Sequence, residues 1–422
     1  VAPHDHLYYG YRSGMSMHPA GHSGVVRTLR HDAGERPHVL VWEVTRACQL
    51  ACRHCRADAF TKADPRQLTT AEGKALLDDF AGYGTPHPIV ILSGGDAFER
   101  DDLEELIAYG TSIGLPIALS PSVTPLLTDE RLGSVREAGV KAFSLSLDGA
   151  TAATHDSFRG IEGTFEATLE AAKLVVEHGF RFQVNTTICK NNLDELPEIL
   201  ATVMGMGAHL WYTIFLVPMG RGSDLQGLEP EEMEDVMHWL HDVSDRIAVK
   251  TTEGQSYRRV AIQRDDALAA GAPLPPTGPL HARLMARTVE LLGEGGNRRP
   301  PRPAIGVNAG NGFAFIDHVG DVYPSGFLPF NCGNVRERPF HEIYAEAPMM
   351  QALRQPSGYS GKCGVCDFNW ICGGSRARTY AMSGDPLASD PSCVYVPPAW
   401  VAAHGTEAVG AEATSSASTS AH

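Results

Sequence analysis

Three cysteines stand at C-x3-C-x2-C in Cys48-Gln49-Leu50-Ala51-Cys52-Arg53-His54-Cys55, directly behind the apolar run Val39-Leu40-Val41-Trp42. This is the tightest constraint in the chain. The apolar run reads as a strand, so the three thiols fall in the loop at its end. Iron–sulfur cubanes are held by cysteine thiolates, normally four of them. Three ligands in one loop hold three irons and leave the fourth open to a small molecule, the difference between a catalytic metal site and a closed structural one. A structural zinc site is the alternative; such sites usually join two close pairs, and no second pair lies near this loop.

The other cysteines are placed unevenly. Of nine, three sit in this loop, Cys189 is alone, and five lie beyond residue 330. An odd number in a long chain without a signal pattern fits thiolate ligation better than a disulfide framework. A net charge of −15 opposes nucleic acid or an anionic membrane surface as a partner. No apolar run reaches the length of a membrane-spanning helix. Residues 1–35 are rich in His, Gly and Ser and lack a basic-then-apolar leader, so they read as a disordered extension and the location as cytoplasmic.

From Val39 to about Pro218, short apolar runs alternate with helical patterns. The strand-like runs are Val39–Val44, Ile89–Leu92, Pro116–Leu119, Ala142–Leu147, Phe182–Ile188 and Leu210–Val217. Helical spacing fills Thr70–Tyr83, Asp102–Ile113, Asp129–Ala138, Phe165–Glu177 and Leu193–Met204. Thr69 with Glu72, and Asn192 with Glu195, have the spacing of reciprocal helix caps, and Gly139, Gly179 and Gly207 fit helix C-termini. Such alternation implies a parallel sheet with right-handed crossovers. The expected fold is α/β: a partial, open (β/α)6 TIM-like barrel over 36–228, with its site at the C-terminal strand ends. Residues 229–303 read as a helical linker or lid, with a helical region at Glu229–Ile247 and one helix at His281–Leu292, 304–398 as a small α+β module opening on a hairpin at Gly312–Val322, and 399–422 as a disordered tail.

The cysteine loop, Ser93-Gly94-Gly95-Asp96 after the second strand and Ser144-Leu145-Ser146-Leu147-Asp148-Gly149 at the fourth resemble the signatures of the radical S-adenosylmethionine (SAM) superfamily. The resemblance covers residues 38 to 398. It implies a [4Fe-4S] cluster on Cys48, Cys52 and Cys55 whose open iron takes SAM. Reductive cleavage of SAM would give a 5′-deoxyadenosyl radical that abstracts hydrogen from an unactivated carbon. Gly94, Gly95 and Asp96 match the motif for the SAM amino group, with Asp where Glu is usual. Ser122 takes a hydroxyl position, without the usual Asn-Gly after it. By the same resemblance Ser146 contacts SAM, Arg159 neutralises its carboxylate and Asn185 reaches the ribose or carboxylate. Val217-Pro218-Met219-Gly220-Arg221-Gly222 would pack on adenine, and His54 takes a position usually aromatic. Asp148 is expected to order its turn, and Cys189 to be a buried small hydrophobe.

Cys363, Cys366, Cys372 and Cys393 supply four thiolates at C-x2-C-x5-C-x20-C. Four ligands complete a cubane, and a zinc ribbon is the alternative. The stretch resembles the SPASM or twitch auxiliary-cluster module, and these four cysteines match its outer cluster. Ser325 and Ser375 stand where inner-cluster cysteines belong and only Cys332 is near, so one auxiliary [4Fe-4S] cluster is expected. Gly320-Asp321-Val322-Tyr323-Pro324, Gly333-Asn334-Val335-Arg336, Cys372-Gly373-Gly374-Ser375-Arg376-Ala377-Arg378 and Gly384-Asp385-Pro386 resemble heme-branch members: the siroheme-dependent heme synthase and nitrite-reductase heme maturases.

The resemblance implies a radical SAM oxidoreductase or maturase acting on a tetrapyrrole side chain. The alternative substrate is a ribosomally synthesised peptide, and a non-catalytic two-cluster electron carrier is the remaining alternative. An electron donor such as flavodoxin or ferredoxin would be its partner. Asp317, Asp321 and Tyr323 are unranked candidates for a general base.

Overall fold

A computed structural model describes residues 26, 27, 29, 31–295 and 302–405. Strands β1 (Val39–Thr45), β2 (Ile89–Gly94), β3 (Ile117–Leu119), β4 (Ala142–Ser146), β5 (Arg181–Ile188), β6 (Leu210–Phe215) and β7 (Ala248–Thr252) lie side by side in chain order. All six neighbouring pairs are parallel. Helices α1 (Thr70–Gly82), α2 (Leu103–Ser112), α3 (Asp129–Glu137), α4 (Ala152–Arg159), α5 (Thr164–Glu177), α6 (Leu196–Gly205), α7 (Pro230–Asp242), α8 (Ser256–Ala270) and α9 (Pro279–Leu292) complete the layer. This is the expected half-barrel.

Alternation along each strand divides its side chains between two faces. On β1, Leu40, Trp42 and Val44 are fully buried in the main core. Gly73 of α1 makes room for Trp42: a Cβ there would stand 2.7 Å from the indole. The opposite parity lines the barrel with Glu43, Ser93, Ser146, Asn185, Tyr212 and Lys250. Val41, Ile91, Ala118 and Phe315 share that parity nearer the N-terminal strand ends, so the polar residues gather toward the C-terminal ends.

The second module is built into the same sheet. β8 (Asn308–Ala309), β9 (Gly312–Ile316) and β10 (Val322–Tyr323) follow α9, and β9 runs parallel to β1, Val39 opposite Phe313 through Trp42 opposite Ile316. β10 folds back antiparallel on β9, as the hairpin pattern predicted. The Thr69–Glu72 capping box is present, and Gly139, Gly179 and Gly207 adopt the positive φ expected of C-terminal glycines.

Several expectations need correction. The stretch 229–303 holds β7, which pairs along β6 and extends the barrel; its Ala-Val-Lys-Thr-Thr sequence is too short and polar to announce a strand. α9 packs into the helical layer, where Trp239 Nε1 donates to Thr288 Oγ1 at 2.9 Å and Asp235 accepts from the Leu280 and His281 amides at the helix start. Asn192 and Glu195 form no capping box. Asn192 instead donates to the carbonyls of Asp148 and Thr187, while Glu195 accepts from the Ala150 amide.

Most of 1–35 and 399–422 lies outside the described residues. The parts that are described are structured: Gly312 N donates to Ala33 O at 2.9 Å, and Pro398–His404 is a helix. Among the described residues no helix is long and apolar enough to cross a membrane.

Candidate active site

The cysteine loop follows β1 and is pinned by backbone on both sides. Cys48 N donates to Phe60 O at 2.8 Å, Cys55 N to Cys52 O at 3.2 Å, and Ala51 N and Arg53 N to the carbonyls of Arg159 and Phe158 at the end of α4. Against the loop lies the end of β2. Gly95 N donates to Thr45 O at 2.9 Å and Asp96 N to Ala47 O at 2.7 Å. A Cβ on Gly94 would stand 2.5 Å from Thr45 O, and one on Gly95 2.4 Å from Ala47 O. Both glycines are therefore fixed by backbone approach. Gly95→Ala should force the two loops apart and cost about 1–3 kcal/mol of stability, read as a lower urea midpoint.

Ser122 joins the same corner: its hydroxyl donates to Gly95 O at 2.7 Å, and the Cys48 thiol lies 3.7 Å from it. Asp96 has protein partners of its own. It is fully buried and accepts from Thr124 Oγ1 at 2.6 Å, Phe98 N at 3.2 Å and Ser122 N at 3.3 Å. Its carboxylate thus ties the third strand's loop beneath the glycines, and burial raises its pKa.

Arg159 and Asp148 form an ion pair, with Arg159 8% and Asp148 1% exposed. Burial opposes the carboxylate, yet Arg159, His54 and His155 together hold Asp148 below the usual carboxyl range. Its other oxygen accepts from Thr187 N at 2.7 Å, so it orders its turn as the sequence suggested. Arg159 Nη1 lies 3.7 Å from Cys52 Sγ. Ser122, Ser146, Arg159, His155 and Leu50 line one cleft. Asn185 sits opposite Ser146 in the β4–β5 register, but its side chain accepts from Gln183 at 2.7 Å.

His155 Nδ1 accepts from Asp148 N at 3.1 Å, and burial lowers its pKa to about 4. The unfolded chain therefore takes up this proton first on acidification. Stability should fall between pH about 6.5 and about 4. His155→Asn should flatten that part of a urea-midpoint profile.

Sequence reasoning missed a buried network beside the loop. Glu43 on β1 pairs with Arg56, one residue past Cys55, and with His318 at 3.2 Å. Arg56 also lies over the Phe315 ring at 4.4 Å. The available signal was an acidic residue inside a strand otherwise read as buried. Asp317 is a turn former, accepting from the Val319 and Asp321 amides, and Asp321 accepts from Asn334.

In the second module, Cys363 Sγ accepts from Asp390 N at 3.3 Å and lies 3.6 Å from Arg376 Nη2. Cys366 Sγ accepts from Phe368 N and Cys372 Sγ from Gly374 N, both at 3.4 Å. Burial and the neighbouring Cys393 and Cys363 push Cys366 and Cys372 up to about 12. Cys332 lies apart, its thiol 3.5 Å from Phe330 O, and Cys189 is fully buried. Ser375 caps the helix Arg376–Ser383 and bonds the buried Glu253 carboxyl. All nine cysteines are free.

The radical SAM superfamily profile matches residues 42–203. An AdoMet-dependent heme synthase of Oleidesulfovibrio alaskensis is 39% identical over 94% of this chain and 96% of its own. The chain belongs to the radical SAM superfamily. It is also similar to a pre-heme d1 synthase of Dinoroseobacter shibae (31% identical; 84% of this chain, 85% of that one). A mycofactocin maturase, MftC, of Mycolicibacterium smegmatis is 28% identical (85% and 83%). SuiB of Streptococcus suis, solved with S-adenosylmethionine, shares the fold at a TM-score of 0.61, with 14% identity over 85% of this chain and 77% of that one. This radical SAM enzyme carries residues that fit the family's cluster and SAM: three thiols on one pinned loop, backbone held close by two glycines, and a buried Arg159 Nε without a partner among the described residues. Among the described residues no group of three or more His, Cys, Asp or Glu is arranged to hold a single metal ion.

Proposed function

We propose that this enzyme modifies a C–H position on a tetrapyrrole side chain. The observation that carries the reading is the 39% identity to a heme synthase across nearly the full length of both chains. When bound at Cys48, Cys52 and Cys55, the cluster and SAM supply a 5′-deoxyadenosyl radical that abstracts hydrogen. The chain's own residues bind and orient. Gly94 and Gly95 bring backbone to the SAM amino group, and Ser122, Ser146 and Arg159 present hydroxyls and a guanidinium in one cleft. Cys363, Cys366, Cys372 and Cys393 hold an auxiliary [4Fe-4S] cluster, whose sulfurs would keep the N–H donors already aimed at three of them; such bonds tune cluster potential.

A flavodoxin or ferredoxin supplies the electron, and the location is cytoplasmic. Anaerobic reconstitution, then incubation with SAM, dithionite and iron tetrapyrroles, tests the reading by mass spectrometry. Deoxyadenosine release together with a mass change on the tetrapyrrole is expected. Release with no tetrapyrrole altered would sink it. A second reading, modification of a ribosomally made peptide, is favoured by the similarity to a mycofactocin maturase.

A further inference from the structure

A cavity of about 250 Å³ lies where the C-terminal ends of β5 and β6 meet the second module. Its walls include Leu216, Leu228, Met233 and Met382, with Arg378 and with Glu229, whose side chain belongs to the capping box of α7. It exceeds the ~150 Å³ of an apolar cavity that admits benzene. Arg378 is 4% exposed. Its Nη2 donates to Glu253 O at 2.6 Å and to the carbonyls of Phe215 and Leu216 at 3.3 Å, which fixes the guanidinium across the end of β6. Its Nη1 is buried and has no partner among the described residues.

Among the other buried arginines, Arg100, Arg159, Arg259 and Arg264 each face a carboxylate, whereas Arg376 rests, like Arg378, on backbone carbonyls. Arg378 forms no ion pair among the described residues, and Glu253 gives it a backbone carbonyl while its carboxyl bonds Ser375. Arg378 feels the buried Glu253 carboxyl without bonding it, so what stays unsatisfied is the donor capacity of Nη1; a carboxylate would take it up through charge-assisted hydrogen bonds. Ser392, directly before Cys393, borders the same space.

We propose that this cavity seats a short apolar side arm ending in a carboxylate, received by Arg378 Nη1, so that Arg378 determines which substrates bind. The inference deepens the tetrapyrrole reading and rests on it for the identity of the arm. Iron coproporphyrin III and its tetramethyl ester are titrated into the reconstituted full-length protein and followed by Soret absorbance.

The acid should bind about ten- to a hundredfold more tightly than the ester. Arg378→Met should erase that preference by weakening the acid alone. Leu228→Trp, which narrows the cavity without altering Arg378, should weaken both. Equal loss of acid and ester in Arg378→Met, or unchanged binding in Leu228→Trp, overturns the proposal. If Arg378→Met does not fold, the wild-type preference and Leu228→Trp decide.

A second arm uses 3-phenylpropionate and its amide, observed by saturation-transfer NMR. A porphyrin that fails to bind, with phenylpropionate retained by wild type and lost in Leu228→Trp, sinks the tetrapyrrole reading and leaves the cavity standing. Silence of both probes overturns the cavity as well.

Discussion

Cys52→Ala is expected to reduce deoxyadenosine release to background and to lower iron from about eight to about four per chain, since each cubane carries four. The same substitution at Cys372 should remove as much iron yet leave SAM cleavage measurable. The asymmetry follows from the surroundings. Cys52 lies beside Arg159 and within the loop that Gly94 and Gly95 approach, whereas Cys372 sits in the second module under the Gly374 amide. Iron analysis, deoxyadenosine chromatography and the electron paramagnetic response of the reduced protein to SAM are the measurements. Deoxyadenosine formed by Cys52→Ala at the wild-type level would remove the basis for placing the reactive cluster on this loop.

Arg159→Met should destabilise the fold by about 3–5 kcal/mol, because it strands Asp148 as a buried, unpaired carboxylate. Arg159→Met combined with Asp148→Leu should recover most of that loss, since replacing both members of a buried pair by apolar groups is often close to neutral. Urea unfolding of the two variants and wild type checks both statements. Equal instability of single and double variants would show that packing, not the charge pair, dominates there. The acid limb should move as well. The folded-state pKa of Asp148 lies below its unfolded value, so its contribution is complete above about pH 4 and is lost as pH falls through the folded value. Without Arg159, that loss should begin at higher pH.

The half-barrel was legible because strand–helix alternation is a long-range pattern that survives errors at individual boundaries. The placement of Cys48, Cys52 and Cys55 on the loop after β1, the close backbone approach at Gly94 and Gly95, and the turn at Asp148 were legible because spacing and backbone clearance restrict residue type. What stayed hidden depends on partners distant in sequence. The bonds of Asp96 to Thr124 and the Ser122 amide join it to a loop 26 to 28 residues away, which no local pattern announces. Asn192 and Glu195 have the spacing of a cap, yet tertiary bonds to Asp148 and Ala150 engage both side chains. Glu43, Arg56 and His318 come from three separate segments, and no local pattern joins them. β7 was lost for another reason: an alternating strand of five residues with Lys250 at its centre carries little periodic signal.

The pairing of β9 with β1 has a consequence for biosynthesis. The ribosome delivers β1 long before its outer neighbour, so the nascent chain must carry an unzipped strand border until β9, more than 260 residues later, has been made. Unpaired borders of this kind invite intermolecular association. A version severed between α9 and β8 would inherit that vulnerability permanently, and the two fragments would need each other to become soluble.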